Sequence, residues 1–259
     1  YNKKITPNVL TVKELYNMWL ETYQHTVEES TLNKTMNFFN VHIIPEWGDT
    51  LVSDIKPLDL QRYINTLQGK ILSYRKIAGY FRRLLSLAVR LDMIAVDPFT
   101  KIEMPRERRQ LNKPKQFMDV DEFKAFIDVL DNQYSQINRQ AYTLLRLGAF
   151  TGMRTEELLA LQWRHVDFDN GYVSITQALG RGLGGSTYIK EPKSQTSKGT
   201  LKIDNKMLSI LSDWYEVTKY RTPKDYVFSN QGQTLQPLRP NKWLHDVSGK
   251  YNVAVGLSM

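Results

Sequence analysis

The sequence predicts a mainly α-helical protein with a small antiparallel sheet, built as a helical bundle followed by a mixed α+β domain. Three observations predict it. Four stretches with apolar residues at helical spacing precede residue 100. A basic, proline-punctuated stretch follows at 101–115. Turn-and-strand signals are confined to the region from Val166 to Ile203.

The elements follow in order. Thr11 and Glu14 form a capping box, and Leu15, Met18, Trp19 and Tyr23 continue at helical spacing. Ser30 is placed to cap a second helix with Leu32, Met36, Phe39 and Ile43 inward, ending before Pro45. Pro57 suits the first position of a third helix carrying Leu60, Ile64 and Leu67. Ser73 is placed to cap a fourth, with Ile77, Phe81, Leu84 and Ala88 inward. After the linker, Asp119 with Glu122 opens a helix through Phe123, Phe126, Ile127 and Leu130. A helix with Leu144, Leu145, Leu147 and Phe150 comes next. It is broken at Thr151-Gly152, and a short helix through Glu156 to Leu161 follows. Val166–Phe168 and Tyr172–Ile175, joined by Asp169-Asn170-Gly171, read as strand, turn and strand. The stretch from Gly180 to Gly185 suits a hairpin tip. Tyr188–Lys190 and Thr200–Ile203 read as strands of a hairpin flanking Pro192–Gly199. Helices return near Met207–Val217 and Asn241–Val253. The expected domains are 8–100 and 116–259, joined by the linker 101–115 and preceded by a residual segment 1–7.

Composition narrows the function classes. The chain has 259 residues, 41% hydrophobic and 24% charged, which is ordinary globular composition. It has no apolar run of membrane-spanning length and no apolar signal core at its start, so a cytoplasmic location and no membrane partner are expected. The absence of cysteine excludes disulfides and thiolate chemistry, and the four histidines show no metal-ligand spacing. No metal or cofactor is expected.

The net charge of +8 is unevenly placed: residues 1–69 carry −2, residues 70–113 carry +7 and residues 114–259 carry +3. Within the basic window, Lys76, Arg83 and Arg90 recur every seven residues, hence on one helix face, with Arg75 and Arg82 beside them and no acid from 75 to 90. Such a face, unrelieved by acids one turn away, suits phosphate contact better than a purely structural role. Arg106, Arg108 and Arg109 extend the basic character into the linker.

The segment Thr151-Gly152-Met153-Arg154 with Glu157, then Leu158 to Trp163, sets an arginine at the start of an apolar helix after a glycine turn. About forty residues on, Pro192-Lys193-Ser194-Gln195-Thr196-Ser197-Lys198-Gly199 supplies lysines. A guanidinium and an ammonium brought together are suited to gripping a phosphodiester and protonating its leaving oxygen. These segments resemble the tyrosine recombinases, the phage-integrase family. So do Val27-Glu28-Glu29-Ser30-Thr31, Ile43-Ile44-Pro45 and Ile55-Lys56-Pro57, which are most similar to integrases of phages and conjugative elements.

The resemblance implies a helical core-binding domain, a tyrosine-recombinase catalytic domain, and strand exchange through a 3′-phosphotyrosyl intermediate without metal or nucleotide. It implies that Arg154 binds the scissile phosphate, that Glu157 orients the catalytic groups, and that Lys193 is the general acid. Lys198 is left as the alternative and as a DNA contact. It also implies double-stranded attachment sites as partners, a homotetramer on DNA, and accessory directionality or DNA-bending proteins. The family pattern continues with His-x-x-Arg and a nucleophilic tyrosine. Here no arginine follows Arg239, His245 is followed by Asp246-Val247-Ser248, and Tyr251 is the last tyrosine. The chain therefore reads as a fragment that does not itself cleave DNA. The other reading is a recombinase-like protein that only binds. Neither His165 nor His245 is assigned a catalytic role.

Overall fold

The computed structural model describes residues 10–106, 118–192 and 198–251. The chain divides into two compact units, Tyr1–Leu111 and Asn112–Met259.

In the first unit, α1 (Val12–Tyr23) starts from the expected capping box. Thr11 Oγ1 accepts from the Glu14 amide at 3.2 Å, and the Glu14 carboxylate accepts from the Thr11 amide at 2.9 Å. Next, α2 (Glu29–Phe38) begins one residue before Ser30, with Glu28 at the cap position, so Ser30 lies inside the helix. The helical run does not end before Pro45. A π-turn over Phe39–Ile43 leads into α3 (Ile44–Trp47), which contains Pro45 in its first turn. The Ile44 amide reaches back five residues to Phe39, so the register has already shifted where proline removes a donor.

The next helices are α4 (Pro57–Lys70), with Pro57 in its first turn, and α5 (Tyr74–Arg90). Ser73 stands at the cap of α5 but its side chain makes no cap hydrogen bond. Phe81 is the centre of an aromatic cluster, with ring centroids 5.7 Å from Trp47, 6.3 Å from Tyr63 and 6.0 Å from Phe99. Phe99 belongs to this core although it follows the Asp97-Pro98 break. The chain then stays on the bundle. Gln61 bonds both the carbonyl and the amide of Glu103, Tyr74 Oη and Arg75 Nη2 donate to the Pro105 carbonyl, and Gln68 donates to the Arg106 carbonyl. Residues 103–106, expected as linker, are therefore strapped to the bundle. The linker residues from 107 onward lie outside the described residues.

In the second unit, α6 (Val120–Val129) opens with the Asp119–Glu122 capping box. A π-turn over Leu130–Tyr134, the single turn α7 (Ser135–Ile137) and α8 (Arg139–Thr151) follow. Phe150 is 46% exposed at the end of α8, with the Arg146 guanidinium over its ring. Gly152 ends α8 in the left-handed region at φ 67°, where a side chain is strained, and releases the chain into α9 (Thr155–Ala160).

Strands β1 (Val166–Asp167), β2 (Tyr172–Ile175), β3 (Ala178–Arg181), β4 (Thr187–Lys190) and β5 (Gly199–Lys202) come next. The expected hairpin around Pro192–Gly199 is not what forms. β5 pairs with β2, Val173 facing Leu201, in a sheet ordered β1-β2-β5, whereas β4 pairs with β3. The two flanking strands use their ladder hydrogen bonds on other partners, so the lysine-bearing segment connects two sheets. β3 holds no strong strand former, and its pairing depends on Gly180. The Tyr188 ring lies across that glycine so closely that an added Cβ would come within 2.6 Å of it. The unit continues with α10 (Asn205–Val217), the short hairpin β6 (Ser229–Asn230) and β7 (Gln233–Thr234), and α11 (Arg239–Tyr251).

Phe81→Ala is expected to destabilise the first unit by about 3–5 kcal/mol, as for other buried aromatic truncations. Exposed Leu72→Ala is expected to stay within about 0.5 kcal/mol. Denaturant titration followed by tryptophan fluorescence checks both, and equal small losses would contradict the assigned core.

Candidate phosphate-binding site and basic groove

The local sequence explains how Arg154 is presented. The glycine turn at 152 stops α8, Met153 is buried, and Arg154 takes the extended cap position of α9 at φ −67°, ψ 151°. Glu157 folds back from the first turn. Its Oε2 accepts from the Arg154 amide at 2.9 Å, and its Oε1 accepts from Arg154 Nη1 at 3.1 Å. The Glu157 side chain is 4% exposed and that of Arg154 60% exposed. A buried carboxylate thus fixes one edge of a guanidinium whose body faces solvent. A planar fork oriented in this way donates to phosphate oxygens without first losing the entropy of a free side chain. A hollow of about 380 Å³ adjoins it, lined by Phe126, Leu145, Met153, Thr155 and Leu244 among others.

The lysines are less fully placed. Lys193 lies outside the described residues. Lys198 stands at the base of the same connection and pairs with Glu191 at 3.0 Å. His165 is partly buried, with Nε2 3.1 Å from Thr176 Oγ1, and burial followed by the nearby Arg164 charge holds its pKa below the ordinary value. Its Nδ1 is buried without a hydrogen-bond partner. His245 is exposed on α11.

The basic residues of α5 divide into two groups. Arg75 is turned onto the bundle, its Nε on Tyr74 Oη and its Nη2 on the Pro105 carbonyl at 2.8 Å. Arg82, Arg83 and Arg90 line a groove of about 640 Å³ with Gly79, Ser86, Trp19 and Tyr23. Arg82 is not without an acid, as the sequence of α5 alone suggests. Asp97, beyond the helix, meets its Nε at 3.2 Å. The Arg83 guanidinium lies 5.5 Å from the Tyr80 ring centroid, and Lys76 and Arg90 are exposed. Arg106 is exposed where the strapped segment ends, while Arg108 and Arg109 lie outside the described residues. The aromatic wall of the groove was missed from sequence. Trp19 and Tyr23 carry the helical signal of α1, and only the packing of α1 on α5 shows that their edges reach the arginines.

Among the described residues no cluster of three or more His, Asp or Glu side chains is arranged to hold a metal, and no helix is long and apolar enough to cross a membrane.

Glu157→Ala removes both bonds to Arg154 and is expected to cost about 1–3 kcal/mol of stability in the second unit. Glu157→Gln, which keeps an acceptor for the Arg154 amide, is expected to cost less. Chemical denaturation checks the order, and a neutral Glu157→Ala would contradict the clamp.

Similarities to known proteins agree with this fold. The profile of the phage integrase N-terminal SAM-like domain matches residues 11–68, and that of the phage integrase family matches residues 116–255. Prophage integrase IntR of Escherichia coli (strain K12) is 24% identical over 243 residues, covering 87% of this chain and 56% of that protein. The ICEBs1 integrase of Bacillus subtilis (strain 168) is 26% identical over 145 residues, covering 56% of this chain and 37% of that protein. The chain thus spans about half the length of the first of these relatives and less of the second. The Tn1549 transposon integrase in complex with transposon right end DNA superposes with TM-score 0.77 at 19% identity, covering 94% of this chain and 79% of that one. A lambda integrase tetramer bound to a Holliday junction gives TM-score 0.66 at 14% identity, covering 97% and 66%. With one family profile covering more than half of its residues and a second covering most of the first unit, the chain belongs to the phage integrase family.

Proposed function

We propose that this chain is the core-binding and catalytic part of a site-specific DNA recombinase that integrates or excises a mobile element. The observation that carries the reading is the Arg154–Glu157 clamp. It is a guanidinium held by a buried carboxylate and open to solvent, at the position the family uses for scissile-phosphate binding. Breakage proceeds by in-line attack of a tyrosine hydroxyl on the phosphodiester. A P–O bond forms to the tyrosine oxygen as the P–O bond to the 5′-oxygen breaks, leaving the phosphate joined to the enzyme through tyrosine and to the DNA through its 3′-oxygen. Negative charge grows on the non-bridging oxygens, and Arg154 accepts it there without rearranging. Lys193 delivers the proton to the departing 5′-oxygen, with Lys198 the alternative. Rejoining runs the same steps in reverse with a new 5′-hydroxyl.

The partner is a double-stranded attachment site, followed along its phosphates by Arg82, Arg83 and Arg90 in the α5 groove. Lys76, Arg106, Arg108 and Arg109 add contacts, and Arg75 contributes through the segment it holds. Four copies assembled on two sites complete the exchange, as the lambda integrase tetramer on a Holliday junction supports. Accessory proteins that bend DNA or set direction act from outside this chain.

The two groups of cations should differ in how far cleavage falls relative to binding. Arg83→Ala and Arg90→Ala are each expected to weaken binding to specific and nonspecific duplexes alike, and to reduce the steepness of its salt dependence by about one counterion each. Arg154→Ala is expected to lower duplex affinity by about tenfold, the share of one charge-assisted phosphate contact. It should also slow strand cleavage by at least about 100-fold in a form of the protein carrying the nucleophilic tyrosine. Gel-shift titrations at two salt concentrations and single-turnover cleavage check this. Loss of binding in proportion to cleavage in Arg154→Ala would contradict the assignment.

A further inference from the structure

Away from the Arg154 clamp, the second unit contains another buried charge cluster that neither the fold's core nor the proposed chemistry accounts for. Asp131, in the π-turn over Leu130–Tyr134, receives three donors. Tyr142 Oη donates to its Oδ1 at 3.0 Å, Arg146 Nη1 to the same oxygen at 2.8 Å, and Lys206 Nζ to Oδ2 at 2.6 Å. The side chain of Asp131 is 16% exposed and that of Arg146 4%. The Arg146 Nε is buried without a hydrogen-bond partner, and its guanidinium lies 4.7 Å from the Phe150 ring centroid. Burial, and then the bond to Asp131, push the Tyr142 hydroxyl up to about 12, so it remains a donor throughout the working pH range.

Two cations around one carboxylate are not a device for stability. A buried pair of this kind gains little over apolar packing of equal volume. What it supplies is geometry, because the three donors come from two elements with different destinations. Tyr142 and Arg146 are on α8, whose last turn runs through Gly152 to Arg154. Lys206 is in the first turn of α10, which begins three residues after β5 ends and is anchored by the Asp204 cap. At its other end β5 begins directly after Lys198. One carboxylate in a π-turn therefore ties the helix that delivers the arginine to the helix that anchors the strand leaving the lysine-bearing connection.

We infer that Asp131 is a positioning residue: by holding Arg146 and Lys206 together it sets the placement of Arg154 relative to β5, and so the geometry of the phosphate grip. The inference rests on the proposed recombinase reading of Arg154. Asp131→Asn strands a buried guanidinium and endangers the fold, so the decisive variant is Lys206→Gln, which cuts the tie on its exposed side. Lys206→Arg serves as the conservative rescue.

The test uses duplex attachment-site DNA with a single methylphosphonate, a neutral phosphate, moved along the scissile strand. The unaltered protein should lose about tenfold or more in affinity when the scissile phosphate is neutralised, as expected for a charge-assisted contact. Arg154→Ala should abolish that penalty. Lys206→Gln should reduce it to about threefold or less with penalties at flanking phosphates intact, and Lys206→Arg should restore it. Melting temperature, measured alongside, should stay within about 3 °C for both Lys206 variants. If Arg154→Ala removes the penalty while folded Lys206→Gln and Asp131→Asn retain it in full, Asp131 has no positioning role. If the unaltered protein shows no penalty at any phosphate, the recombinase reading of Arg154 fails and this inference falls with it.

Discussion

A carboxylate removed from water must be matched by donors or it neutralises, and Glu157 is matched by one residue on both of its oxygens. The amide of Arg154 starts α9 on Oε2, while its guanidinium is drawn onto Oε1. One side chain therefore serves as both helix cap and arginine orienter. This gives the short helix a defined start despite having only the six residues Thr155–Ala160. It also keeps the positive charge on the exposed side, where a phosphate can approach. The rest of the second unit supports this arrangement. The left-handed Gly152 aims the chain, β3 packs beside α9, and Gln177 bonds the Ala160 carbonyl at the helix end.

The first unit solves a different electrostatic problem. α5 carries five cations and no acid along Tyr74–Arg90, and in isolation this repulsion opposes the helix. The fold relieves it at two of the five: Arg75 becomes a strap for the Pro105 carbonyl, and Arg82 meets Asp97 while still lining the groove. Arg83 and Arg90 remain directed to the groove beside Trp19 and Tyr23. A surface of this composition follows a phosphate backbone through charge and allows aromatic contact without requiring a particular base.

Much of this was legible in the sequence, because it depends on local rules. The two capping boxes, Pro57 in its first turn, the inward face of α5 and the Gly152 break each follow from a few neighbouring residues. What was not legible depends on distant partners. The run of helix through Pro45 requires a π-turn, whose shifted register leaves no simple sequence period. The supposed hairpin around Lys193 fails because β5 pairs with β2, a choice made by nonlocal ladders, and because β3 forms on a glycine under Tyr188. Phe150 has the spacing of a core residue but lies at a helix end, under Arg146. Asp97 and Asp131 are single acids whose partners are 15 residues or more away on at least one side, so no short motif could reveal them.

The most direct test of the central claim is a structure of this chain bound to a duplex attachment site. The account predicts the Arg154 guanidinium within about 2.7–2.9 Å of the non-bridging oxygens of one phosphate. It also predicts that the Arg154–Glu157 pair is retained and that the Arg83 and Arg90 side chains lie along the same DNA backbone. A complex in which Arg154 faces solvent, or in which the duplex lies on a surface away from the α5 groove, would contradict it.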